Sequence, residues 1–174
     1  MPRLVLFQPE IPPNTGNVAR TCAATCTELH LIEPLGFEIS DRTLRRAGLD
    51  YWPWVPLHRH PDWQAFRVEQ QRRGGRLLAL TSHASMPYHR FAYQTDDWLL
   101  FGRETSGLPP QILSEADAAL TIPMPGSVVH GGGVRSLNLA TAAGVALFEA
   151  LRQLDGPPSA PSPSPASTTS NPRP

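Results

Sequence analysis

Three short stretches carry the side chains best suited to chemistry. The first is Asn14-x-Gly16-Asn17-x-x-Arg20, two amides, a glycine and a guanidinium in one segment. The second is Phe101-Gly102-Arg103-Glu104-Thr105-Ser106-Gly107-Leu108-Pro109, which follows an apolar run. The third lies within residues 122–150: Ile122-Pro123-Met124, a glycine-rich loop, then Arg135-Ser136-Leu137-Asn138 at the entrance to a long apolar stretch. A glycine-rich loop offers free backbone groups to a ligand, and a helix start offers unpaired N–H groups. A strand, a turn and a capped helix would not by themselves explain why Gly, Arg, Glu, Thr, Ser and Gly crowd together after Phe101; a backbone cradle for a polar ligand does. Asn14 reads as a helix N-cap. Arg20 reads either as a surface residue or as an inward cation near a reacting oxygen, and spacing alone leaves both open.

Several chemistries are excluded. All fifteen basic residues are arginine, so lysine and Schiff-base catalysis are absent, and any phosphate contact would be a planar, potentially bidentate one. The run Gly131-Gly132-Gly133 is no phosphate loop, because no Gly-Lys-Ser/Thr follows it. His130 before that run imitates an esterase oxyanion loop, but no serine sits in a Gly-x-Ser-x-Gly turn. The six histidines, His30, His58, His60, His83, His89 and His130, show no metal-ligand spacing on one predicted face. No metal site is expected. Cys22 and Cys26 would share a helix face, as reduced thiols. Arg42, Arg45 and Arg46, with His58, Arg59 and His60 beyond them, could form a basic patch or a solvated face. Trp52, Trp54 and Trp63 read as core or interface.

The elements that must position these groups follow from patterning. Strands are expected at Arg3 to Phe7, Leu29 to Glu33, Leu77 to Thr81, Trp98 to Phe101 and Ala118 to Ile122. Helices are expected from Asn14 to about Thr27, over Asp41 to Ala47, from about Asp62 to Arg72, over Pro109 to Leu113, and from Ser136 to Leu154. Tyr51 to Leu57 reads as extended and aromatic. This alternation predicts an α/β domain with a mostly parallel sheet flanked by helices. Ligands of such sheets sit beyond the carboxyl ends of the strands, and three of those ends carry the unusual residues.

At 174 residues with zero formal net charge, the chain is expected to form one domain over residues 1–155. The Pro/Ser-rich residues 156–174 are expected to be a disordered tail. Neutrality argues against coating nucleic acid by charge alone but permits a local basic face. No secretory leader or membrane-length apolar run is expected, which implies a cytoplasmic protein.

Taken in order, the blocks Asn14-x-Gly-Asn-x-x-Arg20, Phe101-Gly-x-Glu-x-x-Gly-Leu-Pro109 and Ile122-Pro-Met…Arg135-Ser-Leu-Asn-Leu139 resemble the SPOUT superfamily of methyltransferases, in its SpoU-type ribose 2′-O branch. Pro9-Glu-Ile-Pro-Pro-Asn-Thr-Gly-Asn17, Leu31-Ile-Glu-Pro34 and Arg45-Arg-Ala-Gly-Leu-Asp-Tyr51 narrow the resemblance to the TrmL-type enzymes of the tRNA wobble nucleotide. It covers essentially residues 1–155. It implies a deep C-terminal trefoil knot, which patterning could not reveal because knots are nearly absent from folds. It also implies S-adenosylmethionine as cofactor, tRNA (the anticodon stem-loop) as partner, and a homodimer joined through the first and last helices. The cofactor positions carried over are Leu80, Thr81, Gly102, Glu104, Ile122, Met124, Ser136 and Leu137. The catalytic set would be Arg20, Asn14, Glu104, Ser136 and Asn138, with Arg20, Arg42, Arg45 and Arg46 on RNA. Residues 125–134 depart from the family, being longer and glycine-rich. The alternatives are the same chemistry on another RNA, such as ribosomal RNA, and a binding module that keeps the fold without turnover.

Overall fold

The structure, a computed structural model, describes residues 1–37, 52–126, 134 and 136–155. The expected helix after Asp41, the arginines Arg42, Arg45 and Arg46, the triplet Gly131 to Gly133, His130, Arg135 and the expected tail at 156–174 lie outside the described residues.

Strand β1 (Arg3–Phe7) leads into helix α1 (Pro12–Thr25), and β2 (Leu29–Ile32) follows. After a 3-10 turn at Trp52–Trp54 come β3 (Leu57–His60), α2 (Trp63–Arg73), β4 (Leu77–Leu80) and the two-residue β5 (Met86–Pro87). Strand β6 (Trp98–Phe101), α3 (Pro110–Ser114), β7 (Ala118–Thr121) and α4 (Leu139–Leu154) complete the order. The strands form one sheet in the order β3-β2-β1-β6-β4-β7-β5. Every pairing is parallel.

Alternation along the strands divides the core into two layers. Leu4, Leu6, Leu29, Leu31, Leu99 and Phe101 meet Val18, Ala19 and Cys22 of α1 and Ala143, Ala146, Leu147 and Ala150 of α4. Val5, Phe7, Trp98 and Leu100 face the other way, onto Phe66 of α2 and Ile112 of α3. Burying each large side chain contributes roughly 1.5–3 kcal/mol. The alanines let α1 and α4 lie together over the sheet, which brings their first turns beside the carboxyl ends of β1 and β6.

Several expectations are corrected. Helix α1 begins at Pro12, with Ile11 at the cap. Two prolines preset the first turn, so Asn14 lies inside the helix and its side chain is released for tertiary bonds. Helix α4 begins at Leu139 rather than Ser136, because the Asn138 side chain accepts from Ala140 N (2.9 Å) and Thr141 N (3.3 Å) and caps it. Asp62 caps α2 in the same way, accepting from Ala65 N at 2.8 Å. Within the stretch expected to be extended, Trp52–Trp54 form a 3-10 turn, and a strand starts at Leu57. Cys22 and Cys26 do not share a face. Cys22 is buried in the core, where desolvation pushes its thiol up to about 12, whereas Cys26 is exposed beyond α1 in the left-handed region (φ 53).

Candidate active site

Glu104 is the hub of the carboxyl end of the sheet. It follows β6, and its carboxylate accepts from Glu10 N at 2.8 Å, Ile11 N at 3.2 Å and Asn14 Nδ2 at 3.1 Å. Asn14 is buried and passes the link on, its Oδ1 accepting from Asn138 Nδ2 at 2.8 Å. Asn138 is also the cap of α4. One chain of hydrogen bonds therefore joins the loop after β6, the start of α1 and the start of α4. Asn14 is separated in sequence from its two partners by 90 and 124 residues.

The loop after β6 is held in shape by its own backbone. Arg103 N donates to Gly107 O at 3.1 Å, and Gly107 N returns to Arg103 O at 2.9 Å. Gly107 adopts φ 68, and a Cβ on Gly102 would lie 2.3 Å from the Gly107 carbonyl carbon. Both positions therefore require glycine. Thr105 clamps the loop to the segment between β1 and α1, donating to Glu10 Oε2 from its N (3.1 Å) and its Oγ1 (2.7 Å). These hydrogen bonds hold the Glu10 carboxyl below its usual range.

A cavity of about 1180 Å³ opens beside this hub. Its wall includes Leu80 and Thr81 from the end of β4, Gly102 and Glu104 after β6, Ile122 and Met124 after β7, and Ser136 and Leu137 before α4. All eight positions named from sequence for the cofactor border this one space, as do Asn14 and Asn138. Arg20 is different. It is exposed on α1 and is not part of the cavity wall. Glu104 spends its carboxylate on the loop before α1, which fits a positioning role better than direct contact with a ligand. Sequence reasoning missed Glu10 and the reciprocal Arg103–Gly107 bonds. The Gly-x-Glu-x-x-Gly spacing was the only available signal for the latter.

Away from this cavity, pairing of β2 with β3 places His30 beside His58 toward the amino ends of the two strands and Ile32 beside His60 at their carboxyl ends. Three of the six histidines, His30, His58 and His60, are thus brought together, because β3 was not foreseen. His30 Nδ1 lies 2.9 Å from His60 Nε2, and its ring stacks on His58 with centroids 4.5 Å apart. Burial, then the neighbouring His58 and His60, push His30 down to about 3. Burial also lowers His60. Glu28 accepts from Arg73 Nη1 and Nη2, both at 2.7 Å. Those bonds hold its carboxyl down at about 2. Glu28, His30 and His58 bring potential metal-ligand atoms within 4.8 Å of one another. One feature opposes a metal ion: Arg73 already donates to both carboxylate oxygens of Glu28.

Comparison with known proteins places this architecture. The family model described as the SpoU rRNA Methylase family matches residues 1–148. A tRNA (cytidine(34)-2′-O)-methyltransferase from Saccharophagus degradans is 49% identical over 154 residues, covering 87% of this chain and 94% of the relative. A solved structure concerned with 2-OH methylation of C/U34 on tRNA is 50% identical, with a TM-score of 0.81, covering 90% of this chain and 98% of that one. The SpoU methyltransferase AviRb from Streptomyces viridochromogenes, solved in complex with AdoMet, is 25% identical with a TM-score of 0.76, covering 90% of this chain and 58% of its own. With a family model spanning most of its length and relatives at this identity, the chain belongs to the SpoU methylase family.

Proposed function

We propose that this chain transfers a methyl group from S-adenosylmethionine to the ribose 2′-hydroxyl of the tRNA wobble nucleotide, position 34, a cytidine or a modified uridine. The observation that carries the reading is the Asn14–Glu104–Asn138 chain beside one open cavity. Relatives named for this reaction, matched over nearly their whole length, support the substrate.

The residues present fit the cofactor. Leu80, Ile122 and Leu137 supply an apolar wall, suited to the faces of a base and to methylene groups. Residues 102–107 border the same space. A methyl on a sulfonium is already activated, so the cofactor supplies the electrophile. The protein's part is to align a weak nucleophile and to stabilise the charge that develops on its oxygen. Arg20 is assigned that charge. A guanidinium rarely surrenders its proton, so its role is to hold the oxyanion and orient the ribose and its phosphate rather than to act as base. Asn14 and Asn138 fix the start of α1 and α4, and Ser136 borders the cavity between them.

Arg20 stands on the exposed side of α1, outside the cavity wall, which supports a site completed across a homodimer. Helices α1 and α4 would form that interface, and Phe148, 57% exposed on α4, would be covered by it. The deep C-terminal trefoil knot belongs to the same reading. Arg42, Arg45 and Arg46 are assigned to the RNA. Among the described residues no helix is long and apolar enough to cross a membrane, and the tRNA substrate assigns the protein to the cytoplasm. Nucleoside mass spectrometry of tRNA incubated with protein and cofactor tests the proposal. A 2′-O-methyl group at position 34 is expected; methylation of ribosomal RNA alone would redirect the substrate, and none on any RNA would favour a binding module.

A further inference from the structure

The Arg103 side chain turns away from the cofactor side of the cavity. In the sheet order, Leu80 on β4 and Ile122 after β7 lie on one side of β6. Arg103 reaches the other way, over β1. Its guanidinium carbon lies 5.8 Å from the centre of the Phe7 ring, and its Nη2 donates to Gln8 Oε1. Gln8 follows β1 with φ 49, a left-handed conformation uncommon for a residue with a side chain. Its Nε2 donates to Glu33 O, beyond β2, at 3.2 Å. The Glu33 carboxylate in turn accepts from Arg59 Nε at 3.0 Å and Nη2 at 2.7 Å. A polar ridge thus crosses the carboxyl ends of β6, β1, β2 and β3.

The two arginines of this ridge are treated differently. Arg59 is paired with a carboxylate. Arg103 is buttressed by a neutral amide, and among the described residues no carboxylate lies within ion-pair distance of it. Glu10 is near enough to feel its charge, yet its carboxylate oxygen is engaged by Thr105. A guanidinium has five N–H donors. One amide acceptor fixes its orientation without cancelling its charge or using up those donors. A planar cation so held suits an anion with two coplanar oxygens, and phosphodiesters have this geometry.

We propose that Arg103, oriented by Gln8, binds a backbone phosphate of the substrate RNA at the β1–β2 side of the cavity mouth. The inference rests on the RNA methyltransferase reading and names a residue through which the strand is held. The cofactor carboxylate is the competing anion, and the placement of Arg103 across β6 from Leu80 and Ile122 disfavours it.

The test measures Kd for an anticodon stem-loop as a function of salt, and Kd for S-adenosylmethionine by calorimetry, in the wild type, Arg103→Gln, Arg103→Lys and Gln8→Ala. Arg103→Gln is expected to weaken RNA binding about tenfold and to lower the slope of log affinity against log salt by roughly 0.7–1, the share of one phosphate contact. Cofactor affinity stays unchanged. Arg103→Lys keeps the slope and loses part of the affinity, and Gln8→Ala weakens RNA binding with the slope retained. Unchanged RNA affinity and slope in Arg103→Gln, with a wild type that binds RNA, would overturn this inference alone. Loss of cofactor affinity would also overturn it, by assigning Arg103 to the cofactor or to the loop's integrity. A wild type that binds no RNA would overturn both this inference and the function on which it rests.

Discussion

The two ends of the parallel sheet use a glutamate for the same task with opposite chemistry. At the carboxyl end Glu104 gathers the loop before α1 through two backbone N–H groups and one amide. At the amino end Glu28 is surrounded by cations or potential cations. Arg73 grips it with two bonds of 2.7 Å, Arg3 stands at 3.9 Å and His58 at 3.4 Å. Close by, buried Asp97 is held by Arg76 at 2.9 and 2.8 Å. Cation partners cancel charge and lock strands together. Neutral partners fix geometry without cancelling charge. The difference separates a scaffold end from a working end, and it predicts that substitutions at the two will fail differently.

The largest effect should come from the working end. Arg20→Ala should slow methyl transfer about a hundred- to a thousandfold, the loss seen when one oxyanion donor is removed. Cofactor binding by calorimetry and thermal stability should hold. Normal turnover would remove Arg20 from the mechanism and dissolve the contrast.

Arg76→Ala should do the reverse. It strands the fully buried Asp97 carboxylate, so urea denaturation should show a loss of roughly 3 kcal/mol, while the folded fraction keeps its kcat. Unchanged stability with lost turnover would mean that the amino end is not a scaffold.

Acid should sharpen the same boundary. His30 has its folded pKa depressed to about 3 from 6.5, so the unfolded chain binds the proton more readily. Its contribution to stability is present in full above about pH 6.5 and declines as pH falls toward 3. Glu28, depressed from 4.5 to about 2, acts in the same direction in a lower window. Denaturation midpoints measured from pH 7 to 4 should therefore fall in the wild type, and fall less in His30→Phe. An identical pH slope in the two proteins would show that the stacked histidines carry none of it.

The smallest effect belongs to neither end. The Arg152–Glu149 pair on α4 is 2.8 Å long, with the Arg152 side chain 70% exposed. Arg152→Ala should leave the unfolding midpoint essentially unchanged, as differential scanning calorimetry can verify.

What could be read in advance followed the same division between local and distant interactions. Strands β1 and β6 were legible because Arg3–Phe7 and Trp98–Phe101 are short apolar runs between polar breaks. Strand β3 was not, because Leu57–His60 carries three polar residues in four on the sheet's edge, and periodicity has little to register there. With β3 unseen, the histidine stack it creates was invisible too. Asn14 was misread as a cap since a local rule fitted it well; its partners Glu104 and Asn138 are 90 and 124 residues away. The cavity positions came from motif resemblance, not from patterning. The hydrogen-bond network that explains Glu104 needed coordinates.

The most direct measurement uses labelled S-adenosylmethionine and two anticodon stem-loops, one with a ribose and one with a 2′-deoxyribose at position 34. The account predicts methyl label on the ribose of nucleotide 34 in the first and none in the second. Label that persists in the deoxy substrate, or that maps to another nucleotide, would contradict it.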